Sequence, residues 1–244
     1  MFLYSSADGS IVKVAGDGPS GDVTPVGGTF TSGTLNLPIT QITSDGDVIF
    51  LAQVTGGTSP GGVFRYSRAS GLTKVVAQGD PAPTTGGGVF GYPLFGKEGS
   101  LSGRRLVFHA PVSGGTTSQI IGLIKDVTQL GTMSIIAYEG ESTGTSVGGV
   151  FSDASGKPFG GYGQNTSPPG IRSDGTVVFY SLLASGKNAT GDPTDAGIFL
   201  WNPRGFQRIV LDGDTTTSGA VVQGVFASDL NDLGQVLYFA ASVK

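Results

Sequence analysis

The chain has 244 residues, 43 of them glycine and 13 proline, with 13% charged residues, a formal net charge of −4 and a sequence pI near 4.8. That balance excludes a nucleic-acid binder built on clustered Lys and Arg, because phosphate recognition needs a basic surface. With no cysteine, disulfides, thiol catalysis and cysteine metal sites are excluded as well, and no run reaches the eighteen or so apolar residues of a membrane helix.

In chain order the first strand signal is Phe2-Leu3-Tyr4, followed by Val12-Lys13-Val14-Ala15-Gly16-Asp17. A four-residue segment then recurs. Gly27-Gly28-Thr29-Phe30 returns as Gly87-Gly88-Val89-Phe90, as Gly148-Gly149-Val150-Phe151 and, more loosely, as Gln223-Gly224-Val225-Phe226, with the phenylalanines 60, 61 and 75 residues apart. Such spacing is the period of a supersecondary unit. After each copy an Asp-Gly type turn leads into an apolar run: Asp45-Gly46 before Val48-Ile49-Phe50, Asp174-Gly175 before Val177-Val178-Phe179, and Asp232-Leu233-Gly234 before Val236-Leu237-Tyr238. The second copy departs, with Arg104 and Arg105 before Leu106-Val107-Phe108. A third strand follows as Val63-Phe64-Arg65-Tyr66, as the weaker Ile121-Gly122-Leu123-Ile124 and as Ile198-Phe199-Leu200-Trp201. A fourth ends in Gly79-Asp80, Gly140-Glu141 and Gly213-Asp214, which the early Gly16-Asp17 resembles. Runs of Val, Ile, Phe and Tyr bounded by Gly, Asp, Asn and Pro are strand signals, and no window sustains a helical period. The reading is one β-repeat domain over 1–244: a half repeat 1–26, repeats 27–86, 87–147 and 148–221, and a half repeat 222–244.

In Val48-Ile49-Phe50-Leu51-Ala52 and Val177-Val178-Phe179-Tyr180 both alternating faces are apolar, so the strand must be covered on both sides. Radially packed four-stranded blades do this. The expected fold is an all-β, four-bladed β-propeller with circular closure, in which Phe2–Tyr4 pairs in the same sheet as Val236–Ala240 and leaves no open edge. The alternatives are a fragment of a longer β-repeat array or a β-solenoid. Phe50, Phe108, Phe179 and Tyr238 are repeat-equivalent and should occupy corresponding positions between blades.

The order Gly-Gly-x-Phe, Asn/Ser-Asp-x-Gly-x-Val-x-Phe, Gly-Ile/Val-Phe-x-Trp/Tyr, then Val-x-x-Gly-Asp-x-x-Pro resembles the unit of an uncharacterised tandem-repeat family of secreted or surface-anchored bacterial proteins. Residues 44–90 carry it best, ending in Gly79-Asp80-Pro81-Ala82-Pro83 and Gly87-Gly88-Val89-Phe90. The resemblance implies an exported or surface-associated bacterial protein whose leader and anchor lie outside this chain. It brings no catalytic residues.

Among residues capable of chemistry, His109 is the single histidine and takes the place of Leu51 in the first repeat, which reads as a strand residue with a satisfied ring. Asp17, Asp80, Glu141 and Asp214 follow fourth strands. In a ring they would form an acidic mouth able to hold Ca²⁺, and as separate residues each would cap its own turn. One repeat is elaborated by insertions around Tyr162 and Asn165 and around Lys187, Asn188, Asp192 and Asp195. Departures from a repeat are where specificity resides. Alternation along a meander puts the Asp192 loop at the end of the Gly-Asp/Glu turns and the Tyr162 loop at the opposite end. The expected function is a non-catalytic extracellular or surface binding or scaffold module, a monomer, recognising a glycan or an extracellular protein through loops at one mouth. The alternative is a polysaccharide hydrolase or lyase with carboxylates near the axis.

Overall fold

A computed structural model describes residues 1–36, 40–95, 100–129, 131–145, 148–152, 169–187 and 190–243. The protein is all-β and antiparallel. Its N-terminal hairpin pairs β1 (Phe2–Tyr4) with β2 (Ile11–Lys13). The first complete unit comprises β3 (Thr29–Phe30), β4 (Thr40–Ile42), β5 (Val48–Thr55), β6 (Gly61–Ser67) and β7 (Gly71–Ala77), in the order β3-β5-β6-β7 with β4 also on β5. The second repeats this with β8 (Val89–Phe90), β9 (Leu101–Ser102), β10 (Arg105–Ser113), β11 (Gln119–Ile124) and β12 (Met133–Tyr138). The third does so with β13 (Val150–Ser152), β14 (Gly170–Ile171), β15 (Val177–Lys187), β16 (Pro193–Asn202) and β17 (Gly205–Leu211). A C-terminal hairpin of β18 (Val221–Leu230) and β19 (Val236–Val243) follows.

Each complete unit is thus a four-stranded meander whose first strand is broken into two short pieces lying along the two ends of the second. The Gly-Gly pair explains the upper piece. A Cβ on Gly28, whose φ is +64°, would stand 2.2 Å from the carbonyl oxygen of Thr55, and one on Gly149, at φ +78°, 2.9 Å from that of Ala184. Only glycine lets the chain pass so close to the following hairpin in that conformation.

The strands are covered on both faces, as their doubly apolar sequences require. Among the described residues four apolar layers separate five sheets. Phe50 and Phe64 pack toward the N-terminal hairpin with Val14, Ala15 and Leu3, whereas Ile49 and Leu51 on the opposite face meet Phe90 and Phe108 of the second unit. Val107 and Ile121 then meet Phe151, Phe179 and Phe199 of the third. Val178, Tyr180 and Ile198 meet Val222, Val236 and Tyr238 of the C-terminal hairpin. Phe50, Phe108, Phe179 and Tyr238 therefore sit at corresponding places in successive layers, the three phenylalanines fully buried and Tyr238 partly so. Within units the rings meet edge to face, Phe30 and Phe64 at 5.2 Å and Phe151 and Phe199 at 5.1 Å. In the second unit Gly122 replaces the third-strand ring, and the Phe108 ring fills that space, 2.4 Å from where a Cβ would lie.

Three sequence expectations need correction. The pairing of Phe2–Tyr4 with Val236–Ala240 is not formed: among the described strands β1 pairs with β2 alone, and β19 with β18. The fourth copy of the glycine-aromatic segment is Gly219-Ala220-Val221-Val222, not Gln223-Gly224-Val225-Phe226. Val222 exchanges backbone bonds with Gly213 and Asp214 at 2.8 Å each, as Phe90 does with Gly79 and Asp80 and Phe151 with Gly140 and Glu141. Residues 223–226 lie further along β18. Finally, the equivalent of Asp80 after the N-terminal hairpin is Asp22, not Asp17. The bridges Val23 to Thr29, Pro81 to Val89, Ser142 to Val150 and Thr215 to Val221 align the residue preceding each, and the intervening Pro19-Ser20-Gly21 displaces the register.

Candidate functional site

Carboxylates recur at two positions of the unit. In the first series, Asp22 Oδ2 accepts from Gly16 N at 2.6 Å, Asp80 Oδ2 from Ala77 N at 2.9 Å, Glu141 Oε2 from Tyr138 N at 3.2 Å and Asp214 Oδ2 from Leu211 N at 2.9 Å. Each closes the turn leaving its own fourth strand, the work Asp does well after glycine. Three also meet a cation on that strand: Lys13 to Asp22 at 2.9 Å, Lys74 to Asp80 at 2.6 Å and Arg208 to Asp214 at 3.7 Å. Ile135 stands where Lys74 would be, so Glu141 has no such cation there, and burial pushes its carboxyl above the ordinary glutamate range.

The second series lies two or more residues earlier. Backbone bonds Gln78 N to Gly61 O, Glu139 N to Gln119 O and Asp212 N to Ala196 O, at 3.0, 3.0 and 3.1 Å, make Gln78, Glu139 and Asp212 equivalent. Asp17 belongs here, since Gly18 N donates to Phe30 O at 2.9 Å as Gly79 N does to Phe90 O at 2.7 Å. Asp17 Oδ2 accepts from Gly33 N at 2.7 Å, and Asp212 Oδ1 from Val225 N at 3.0 Å, each three residues past the equivalent Phe30 or Val222.

Across from this series, Ser59, Thr117 and Thr194 are matched by their hydroxyl bonds to the carbonyls of Gly61, Gln119 and Ala196. The residues after them are Pro60, Ser118 and Asp195; the Ser118 hydroxyl donates to Glu139 Oε2, and Asp195 is close enough to Asp212 to act on its carboxyl. Only the third unit has two acids there. Thr194, Asp195, Asp212, Gly213 and residues 221–224 line an open cleft of about 400 Å³ between the third unit and β18. Burial raises the Asp212 carboxyl, with Asp195 adding to the shift. Tyr180, buried behind them, has its phenol pushed up to about 12 by the same desolvation and by the two carboxylates.

Of the sequence candidates, Asp195 lies in this cleft and Asp214 caps the adjoining turn. Asp192 accepts from the Thr190 hydroxyl at 2.6 Å in the β15–β16 turn, and Lys187 lies exposed at the end of β15. Tyr162, Asn165 and Asn188 lie outside the described residues. Among the described residues no group of three or more His, Asp or Glu side chains is placed to hold a metal ion. His109 is buried at the position that Leu51 and Tyr180 occupy in the other two units. Its Nε2 lies 3.0 Å from Gln119 Oε1, while Nδ1 meets no partner among the described residues, and burial draws its pKa down to about 4. A larger cleft of about 600 Å³ beside the β1–β2 turn contains Arg65, Arg68 and Arg104, but these guanidinium groups meet Asp47 at 2.7 Å, Asp8 at 3.6 Å and Asp45 at 2.5 Å respectively.

Asp212 is masked in the sequence by the Gly213-Asp214 pair that follows it and matches Gly79-Asp80 and Gly140-Glu141. The signal that finds it is the three-way alignment of Gln78, Glu139 and Asp212. Comparison of this chain with family models, with curated proteins and with solved structures gave no match.

Proposed function

We propose that the chain is a non-catalytic extracellular or surface module that binds a glycan at the Asp195–Asp212 cleft. The observation that carries this reading is the divergence of one equivalent pair, from Pro60 and Gln78 through Ser118 and Glu139 to Asp195 and Asp212, on an otherwise repeated frame. A position that holds units together is kept in all of them, while one that differs from unit to unit is released for recognition. Two carboxylates, a threonine and the Gln223 amide offer the converging acceptors and donors that sugar hydroxyls require. A four-bladed propeller belongs to the same proposal, its fourth blade composed of β18–β19 and β1–β2. Export from a bacterium rests on the repeat resemblance.

A glycan array on purified protein tests this. Binding that disappears in Asp195→Asn with Asp212→Asn, at unchanged circular dichroism, is the expected result, and an array without any hit would sink the reading.

One observation favours a second reading, a polysaccharide hydrolase or lyase. Asp212 is a carboxyl with a raised pKa beside another carboxylate, the environment a general acid needs. A reducing-end assay on any bound glycan separates the two: product release abolished by Asp212→Asn makes the module an enzyme, and binding without release leaves it a receptor.

A further inference from the structure

The cleft between the third unit and β18 has a counterpart one unit earlier. An open hollow of about 540 Å³ lies at the end of the second unit where β10 turns into β11, lined in part by Thr116, Thr117, Ser118, Glu139 and Gly140. Four of these five are repeat-equivalent to residues of the first cleft. Thr117 stands for Thr194, each hydroxyl donating to the carbonyl two residues further on, at 3.1 and 3.3 Å. Ser118 therefore stands for Asp195. Glu139 stands for Asp212 through the backbone bonds to Gln119 and Ala196, and Gly140 for Gly213 through those to Phe151 and Val222, at 2.7 and 2.8 Å.

The two clefts are thus the same place in neighbouring units, and their polar groups are alike in kind. The first presents Thr194, Asp195 and Asp212; the second presents Thr116, Thr117 and the Ser118–Glu139 pair, in which the hydroxyl donates to Oε2. Hydroxyl and carboxylate oxygens of this sort accept from sugar hydroxyls. Among the described residues no lysine, arginine or histidine lines either cleft, so the carboxylates repel a uronate or a sulfate. In the first unit the same two places hold Pro60 and Gln78, and Pro60 has no side-chain donor or acceptor. A ligand that repeats its own hydroxyl groups at intervals suits a frame that repeats its polar groups, whereas a single sugar uses only one of the two places.

We propose that the two clefts are successive subsites for one linear polysaccharide free of acidic groups, the chain passing from the third unit to the second. This deepens the glycan reading of the Asp195–Asp212 cleft and rests on it. Val107 and Ile121 meet Phe151 and Phe179 in one apolar layer between the two units, so the subsites are held at a fixed separation. Sheets packed face to face lie about 10 Å apart, a gap that a few sugar residues bridge. Once the first cleft is occupied, engagement of the second is intramolecular and adds affinity without a further loss of free translation. Affinity therefore depends on the length of the sugar chain.

Calorimetric titration with unbranched ladders from disaccharide to octasaccharide reads this, using fragments of cellulose, of chitin and of deacetylated chitin, with polygalacturonate fragments as the acidic comparison. In at least one non-acidic ladder the octasaccharide is expected to bind ~100-fold or more tightly than the disaccharide. Ser118→Tyr, at an exposed side chain, fills the second cleft and is expected to bring the octasaccharide down to the affinity of the disaccharide at unchanged circular dichroism. Glu139→Gln, the milder change, is expected to remove part of the gain, about fivefold. Equal binding at all lengths, or a gain with length that survives in both variants, would overturn the second subsite and leave the Asp195–Asp212 cleft as a site for a single sugar. Tightest binding in the acidic ladder would overturn the restriction to chains free of acidic groups. Binding to none of the ladders would overturn the paired subsites and the glycan reading together.

Discussion

Strands β1 and β6 carry nearly the same segment, Phe2-Leu3-Tyr4 and Phe64-Arg65-Tyr66, in the same register against a lysine, Lys13 or Lys74. One ring is fully buried and the other stands mostly in solvent. The residues and local pairing are alike, so burial is decided by what flanks the strand: β6 has β5 on its other edge and the N-terminal hairpin over its face, and β1 has neither counterpart. A repeat motif in this chain specifies a strand and its register, and the neighbouring sheet decides how much stability that strand yields.

The largest test of this contrast is truncation of the two rings. Phe64→Ala should lower unfolding stability by about 3–5 kcal/mol, the range for emptying a buried aromatic site, whereas Phe2→Ala should cost under about 0.5 kcal/mol. Urea titration reads both, and equal losses would show that the N-terminal face is covered.

A smaller effect distinguishes the second unit, whose core position equivalent to Leu51 is His109. Its folded pKa, about 4, lies below the ordinary 6.5, so between those values the unfolded chain takes up a proton that the folded chain refuses. Stability from this group is complete above pH 6.5 and falls as pH drops toward 4, by about 3 kcal/mol in all. His109→Gln should flatten that part of the pH–stability curve. An unchanged slope would show that the ring charges in place.

The turn carboxylates sharpen the comparison further, because Asp80 has Lys74 beside it and Glu141 has no equivalent cation. Asp80→Asn should cost about 1 kcal/mol in chemical denaturation. Glu141→Gln keeps an acceptor for Tyr138 N and removes a charge that burial disfavours, so it should be neutral or stabilising. The reverse order would contradict the assignment of cations. Smallest of all is the response to millimolar Ca²⁺: with each carboxylate engaged in its own turn, the melting midpoint should not move. A rise reversed by chelator would show that the acidic turns converge on an ion.

Much of the fold was legible because period-two strands with two apolar faces admit few packings, and Val48–Ala52 and Val177–Tyr180 are of that kind. The register was harder. Asp17 looks like Asp80 because both follow glycine, yet the backbone passes through Pro19-Ser20-Gly21 before offering the equivalent carboxylate at Asp22, and that detour is a three-dimensional fact. The fourth copy was misplaced for a related reason: Ala220 and Val222 stand for glycine and phenylalanine, while Gly224 and Phe226 supplied a closer match in letters. Asp195 was visible as part of an insertion. Its partner Asp212 was not, since the two approach each other only through the pairing of β16 with β17.

The layered arrangement also has a genetic consequence. Because Phe50, Phe108 and Phe179 occupy the same place in successive layers, the front of any unit is shaped to fit the back of any other. Gain or loss of a whole period of about sixty residues therefore preserves every interface, while an insertion of a few residues survives only at a turn. Copy number is the cheapest coordinate along which such a chain can change during descent, because it alters the length of the stack and leaves each interface as it was.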